Sequence, residues 1–248
     1  MSLLEVRELT VHHGGVLAVD DATLTVAPGT VAGLIGPNGA GKTTFIDTIS
    51  GFTTATRGHV TFDSQDLTTA RPHVRSRAGL VRTFQSLELF DDLTVRDNVF
   101  VAAHTPTLWS TITDALWPKR HDTAETARVI DLLDLGPVAD RHPADLSNGQ
   151  RHVVAMARAL VSSPKLVLLD EPAAGLDPTE TAELTALLRR LPDAGTAVLV
   201  VDHDMSLIMG ACDEVHVLDF GRLIAGGTPA EVRNDPAVIA AYLGTGAA

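Results

Sequence analysis

The sequence predicts an α/β fold: a phosphate-loop core, an antiparallel β flank ahead of the loop, and an inserted helical subdomain. Three observations predict it. A glycine-rich run, Gly36–Thr44, lies between a strand pattern and a helix pattern. A continuous apolar run, Leu166–Leu169, ends in two carboxylates, Asp170 and Glu171. Between these landmarks, over residues 89–163, the apolar spacing turns helical.

Val6, Leu9 and Val11, then Leu24 and Val26, mark strands of the antiparallel flank, and Val31–Ile35 is its last strand, leading into the loop. The loop reads Gly36-Pro37-Asn38-Gly39-Ala40-Gly41-Lys42-Thr43-Thr44, which fits G-x-x-x-x-G-K-[ST]. Phe45, Ile46 and Ile49 give the following helix, which ends at Gly51. The glycines let backbone approach an anion closely. Successive N–H groups and the helix N-terminus then point at phosphate. Lys42 is expected to reach the β/γ-phosphates and the Thr43 hydroxyl to ligate Mg²⁺. Gly58–Asp63 reads as another hairpin strand.

In the helical stretch, Thr94 and Asp97 form a capping box before Val95, Val99 and Val101. Thr123–Leu135 continues with Ile130, Leu132 and Leu133, and Ser147 opens a helix with Val153, Met156, Leu160 and Val161 on one face. Leu166–Leu169 then reads as a parallel strand covered on both faces. Ligands of open α/β sheets sit at the carboxyl ends of such strands. Asp170 is therefore expected to hold Mg²⁺, and Glu171 to be the general base for an attacking water. Alone, the pair reads equally well as solvated carboxylates; the phosphate loop upstream decides for catalysis. Ala197–Val201 and Val215–Leu218 are further strands. Thr228-Pro229-Ala230-Glu231 is a helix start, and Asp235-Pro236 begins a last helix ending near Gly244.

The 248 residues suffice for one large domain or two small ones. A net charge of −12 argues against wrapping a nucleic-acid backbone. A single cysteine, Cys212, excludes an intramolecular disulfide and suits a reducing compartment. The N-terminus lacks signal-peptide order, and no apolar run approaches the ~18 residues that span a bilayer. Any membrane link must then run through a partner. The ten histidines show no metal-ligand spacing.

Leu146-Ser147-Asn148-Gly149-Gln150 places a serine and a glycine at a helix N-terminus, a second anion site in principle. In isolation Ser147 is no more than an N-cap. Together with the phosphate loop and Asp170-Glu171, the chain resembles the ATP-binding subunit of ABC transporters over essentially its whole length. The resemblance implies a RecA-like P-loop NTPase core with β flank at 1–88 and 164–223. It also implies a helical subdomain at 89–163 carrying the signature motif, and C-terminal helices at 224–248. ATP and Mg²⁺ follow, as does head-to-tail pairing of two such domains. Each ATP would lie between the phosphate loop of one and Ser147, Asn148, Gly149 and Gln150 of the other. The third signature position is usually glycine; asparagine tolerates positive φ better than other residues, so function is expected to survive Asn148.

Other positions carry over singly. Gln85, in Val81-Arg82-Thr83-Phe84-Gln85, resembles the Q-loop glutamine that contacts Mg²⁺ and water. His203, in Asp202-His203-Asp204-Met205, resembles the switch histidine at the γ-phosphate. Asp177, before Pro178, resembles the D-loop aspartate and is also a good helix cap. His13 stands where the family stacks an aromatic residue on adenine, so ATP and GTP are expected to be used comparably.

The runs Val81–Gln85, Leu89-Phe90, Leu93-Thr94-Val95, Asp170–Leu176 and Asn234–Ile239 are similar to high-affinity branched-chain amino-acid importers. So is an insert near 104–122 with Trp109 and Trp117, whose rings are expected to pack in the core or a loop rather than on a membrane subunit. Urea and amide importers share these features, and a lipopolysaccharide-export ATPase is related. The resemblance implies a cytoplasmic ATPase held on the inner membrane face by transmembrane permease subunits. It pairs with an identical or similar ATPase, and an external solute-binding protein acts indirectly. No nucleic-acid partner is expected. A soluble ABC ATPase of repair or translation is the main rival; this chain lacks its second ATPase unit or long coiled coil. Against a regulatory nucleotide switch stand Glu171 and His203. The transported solute, and whether the pair is mixed, stay open.

Overall fold

The computed structural model describes residues 2–83, 87–103 and 123–244. The chain divides into two compact units, Met1–Gln85 with Pro164–Ala248, and Ser86–Ser163.

The first unit holds two sheets. One is antiparallel in order β2-β1-β4-β5, from β1 (Leu4–His13), β2 (Val16–Val26), β4 (Arg57–Phe62) and β5 (Gln65–Asp66). The other comprises β3 (Val31–Ile35), β6 (Leu80–Arg82), β7 (Leu166–Asp170), β8 (Ala197–Val201), β9 (Glu214–Asp219) and β10 (Arg222–Gly227), in order β10-β9-β3-β8-β7-β6. Its strands pair in parallel except β10, which is antiparallel to β9. Val31–Ile35 thus belongs to the parallel sheet and not to the flank as expected. The reason is visible in its burial: all five residues are buried, as in β7 and β8, whereas β1 alternates. β5, β6 and β10 go unread in the sequence because two are only two or three residues long and β10 ends in Gly-Gly.

Around these sheets run α1 (Lys42–Ser50), α2 (Pro72–Ala78), α6 (Pro178–Leu188), α7 (Met205–Ala211), α8 (Pro229–Asn234) and α9 (Pro236–Gly244). The second unit contributes α3 (Val95–Ala103), α4 (Ala124–Leu132) and α5 (Asn148–Leu160). α4 is N-capped by Thr123, whose side chain accepts Thr126 N–H, but stops short of Leu135 because Asp134 turns left-handed, with φ 55°. The Thr94 hydroxyl accepts Asp97 N–H at 3.2 Å and donates to the Asp97 carboxylate at 2.6 Å.

The core of the first unit gathers Leu4, Leu34, Phe45, Ile46, Phe62 and Leu199, all essentially buried. Each such side chain contributes about 1.5–3 kcal/mol relative to exposure. Arg75 is buried as well, and its guanidinium donates to Thr48 O (2.8 Å) and Ile49 O (2.5 Å) at the end of α1 and to Thr68 O and Ala70 O. Burial pulls its pKa down to about 10, so it remains a cation at neutral pH. A cation on the last carbonyls of a helix satisfies groups that would otherwise be orphaned. Arg75 thereby anchors the helix that presents Lys42. In the second unit the buried Asn98 amide donates to Phe90 O, Leu93 O and Thr94 O. Among the described residues no helix is long and apolar enough to cross a membrane.

Candidate functional site

The site begins where β3 ends. Gly36 has φ 155°, and a Cβ there would sit 2.0 Å from Leu218 O. Gly41 has φ 102°, and its Cβ would sit 2.3 Å from Ala18 O. Neither position admits a side chain, so bare backbone forms the loop. Gly41 also caps α1 without a side-chain acceptor. First-turn N–H groups in that arrangement serve an external anion. The Lys42 ammonium curls over its own loop, donating to Gly36 O at 2.7 Å and Pro37 O at 3.0 Å. Burial lowers its pKa, while the carboxylates of Glu171, Asp170 and Asp202 work the other way.

This loop, with Lys42, Thr43 and Thr44, lines a cleft of about 430 Å³ together with Glu171, Phe220 and the start of β2. That volume lies within the roughly 300–1,000 Å³ of small-molecule sites. A larger cleft, about 780 Å³, is lined by Glu8, Asp20, Asp21, Arg57 and Arg222, without a phosphate-binding backbone. The chemistry therefore belongs to the smaller one.

The carboxyl ends of β7 and β8 supply the acids. Asp170 is the last residue of β7 and buried; Glu171 follows it with φ 48°, its N–H donating to Val201 O at 2.7 Å. A left-handed glutamate is strained, and such strain collects at functional sites. Burial raises the Asp170 pKa, opposed by Arg82, whose Nη2 lies 2.9 Å from Asp170 Oδ2. Arg82 Nη1 also reaches Asp47 at 2.5 Å and Ser50 Oγ at 3.1 Å. The expected metal ligand is thus already ion-paired, and any cation bound there shares Asp170 with Arg82.

Asp202, fully buried, joins the loops after the two strands. Its Oδ2 accepts Ala173 N–H at 2.9 Å, and its Oδ1 accepts His203 N–H at 2.7 Å and Asp204 N–H at 2.9 Å. The His203 ring stays mostly exposed, with Nδ1 3.6 Å from Asp202 Oδ1. Asp204 in turn caps α7 through Ser206 and Leu207 N–H. Sequence reasoning gave Arg82 and Asp202 no role. A carboxylate directly after an all-apolar strand, Val201-Asp202, was the available signal for the second; none marked the first.

The structure brings the phosphate loop and Glu171 to one cleft. Ser147 and Gln150 close a capping box on α5, Gln150 N to Ser147 Oγ at 3.2 Å and Ser147 N to Gln150 Oε1 at 3.0 Å. Asn148 and Gly149 form the first turn of α5; Asn148 has no positive φ, so a tolerance for it is not what admits asparagine there. Asp177 caps α6, accepting Thr179 and Glu180 N–H at 2.8 and 2.9 Å. His13 is exposed at the end of β1, opposite Val16. Gln85, Trp109 and Trp117 lie outside the described residues.

A family model described as ABC transporter matches residues 19–174, and one described as branched-chain amino acid ATP-binding cassette transporter matches residues 222–248. The chain is 38% identical to the high-affinity branched-chain amino acid transport ATP-binding protein LivG of Escherichia coli, over 98% of each chain. It is 37% identical to BraF of Pseudomonas aeruginosa, with the same description and coverage. It is 35% identical to the lipopolysaccharide export system ATP-binding protein LptB of Acidithiobacillus ferridurans, over 98% of this chain and 97% of that one. Among solved structures, an ATP-binding cassette of an ABC transporter in its ADP conformation superposes with a TM-score of 0.86 at 29% identity, covering 98% of this chain and 99% of the other.

Proposed function

Because this chain belongs to the ABC transporter family as an ATP-hydrolysing, ATP-binding subunit, we propose that it powers an importer of branched-chain amino acids. The observation that carries the catalytic part is the single cleft shared by the phosphate loop, Lys42 and Glu171. What supports the solute class is the match of residues 222–248 to the branched-chain family together with the likeness to LivG and BraF.

In this reading the loop N–H groups and Lys42 hold the β/γ-phosphates, which exchanges the ammonium's two neutral carbonyl acceptors for anionic oxygens. Glu171, fixed by its backbone bond to Val201, accepts a proton from the attacking water. His203 contacts the γ-phosphate from the end of β8. The Thr43 hydroxyl and the Asp170 carboxylate, with Gln85, would hold Mg²⁺, a hard oxygen set of few protein ligands that suits this ion beside phosphates. Mg²⁺ there would neutralise charge developing on the phosphate oxygens. Two subunits pair head to tail, with Ser147, Asn148, Gly149 and Gln150 of one closing on the nucleotide of the other and Asp177 at the seam. In domain terms 1–88 with 164–223 is the nucleotide core and 89–163 the helical subdomain, while the C-terminal part expected as helices from 224 opens instead with the end of β10 and turns helical only at Pro229. ATP favours the closed pair because only that state contacts it from both sides, and hydrolysis reopens it. Permease subunits read this motion and hold the chain on the inner membrane face, and an external solute-binding protein delivers the amino acid.

The test is affinity capture of tagged protein from detergent-solubilised native membranes, followed by ATP-dependent uptake in vesicles containing the recovered complex. Two permeases, an ATPase partner and leucine uptake are expected. Recovery of soluble partners alone, or uptake of urea and not leucine, would contradict the importer assignment.

A further inference from the structure

The turn between β9 and β10 carries an exposed aromatic ring. Phe220 is 86% exposed. It also holds φ 43°, a conformation that a bulky side chain rarely adopts. The turn is fixed in place. Gly221 N–H donates to Ala40 O in the phosphate loop at 2.9 Å, and Gly221 O accepts Asp20 N–H at 2.8 Å. Arg222 Nε bonds Asp20 Oδ2 at 2.7 Å. Phe220 thus lines the 430 Å³ cleft, as do Val16 and Leu17, 67% and 43% exposed. Single exposed apolar residues are ordinary on protein surfaces. Three together in a cleft whose floor is a phosphate loop, one of them on a strained and anchored backbone, are not.

We propose that Phe220, with Val16 and Leu17, forms the base-binding wall of the nucleotide site, the Phe220 ring stacking on the purine where His13 lacks the area to do so. The proposal rests on the phosphate loop being a nucleotide site. It assigns the apolar end of the cleft to the base and the lysine end to the phosphates. A π-face and two aliphatic side chains read no base edge, so adenine and guanine are held alike.

The experiment is calorimetric titration of the full-length protein with ATP, GTP and inorganic tripolyphosphate, for the native chain and the Phe220→Ala, Phe220→Asn, Phe220→Tyr and Lys42→Ala variants. Asparagine accepts the left-handed backbone and keeps the turn. Loss of the ring should weaken ATP and GTP together, by on the order of tenfold, and leave tripolyphosphate unchanged. Tyrosine should restore both nucleotides. Lys42→Ala should weaken all three ligands. Native ATP affinity in both Phe220→Ala and Phe220→Asn would overturn the proposal and leave the phosphate site standing. Equal losses of ATP and tripolyphosphate would overturn it too, since the ring would then act only through the loop. A native chain that binds none of the three would remove the nucleotide reading and the proposal with it.

Discussion

Asp202 Oδ2 and Ala173 N–H lie 2.9 Å apart, so one buried carboxylate ties the segment after β7 to the strand end of β8. Because Oδ1 of the same group accepts His203 and Asp204 N–H, the positions of Glu171 and His203 depend on a residue that need touch no substrate. Asp202→Ala would leave three backbone donors without their acceptor. We expect a loss of roughly 3–5 kcal/mol in urea unfolding and a fall in ATP turnover. Asp202→Asn, which keeps one accepting oxygen, should lose less. A change under about 1 kcal/mol for the alanine variant would show that water replaces the carboxylate.

Arg82 and Asp170 test the buried ion pair at the end of β7. Arg82→Met keeps an apolar stem and removes the charge, leaving Asp170 buried without its partner. The expected loss at pH 7 is about 3–5 kcal/mol. Burial already raises the Asp170 pKa above its ordinary 3.8, and loss of Arg82 raises it further. With a raised folded-state pKa the native form binds the extra proton. Stability therefore falls as pH climbs from about 3.8 through the raised value, and returns on acidification. Unfolding of Arg82→Met should accordingly be less perturbed at pH 5 than at pH 7, and a second change, Asp170→Asn, should recover much of the loss. An unfolding free energy independent of pH would contradict this.

His216 on β9 gives the opposite slope. Burial pushes its pKa below the ordinary 6.5, and Glu214 opposes only in part. The unfolded chain then binds the proton more readily. The stability contribution is full above about pH 6.5 and declines as pH falls below it. Melting temperatures between pH 5.5 and 8 should show this decline in the native protein and a shallower one in His216→Gln. Identical slopes would place the acid sensitivity elsewhere.

Lys42→Ala should lower ATP affinity by on the order of tenfold or more, since hydrogen bonds to charged groups contribute about 1.5–3 kcal/mol. Equilibrium binding of a labelled ATP measures it. Intact affinity would mean that backbone N–H groups alone hold the phosphates.

Much of this fold was legible because its signals are local. Gly36–Thr44 sits between an apolar strand and an apolar helix, β7 is four apolar residues closed by Asp170, and β8 is five apolar residues followed by Asp202. Capping at Ser147, Asp177 and Thr228 is written in adjacent residues. What stayed hidden depends on distance in sequence. Arg82 meets Asp170 across two neighbouring strands, and Gly221 meets Ala40 from far along the sequence. The assignment of Val31–Ile35 to the parallel sheet likewise needs its partners β8 and β9, both far downstream. Phe220 was invisible for a further reason: its exposure and its positive φ are properties of a turn conformation and not of residue type.

The central claim is that Glu171 activates water in a cleft built to hold ATP. Steady-state phosphate release by Glu171→Gln, measured beside ATP binding by the same preparation, tests it most directly. The account predicts native ATP affinity with turnover lowered by about 10²–10⁴-fold, the range of a positioned general base. Turnover within a few-fold of the native protein would contradict it.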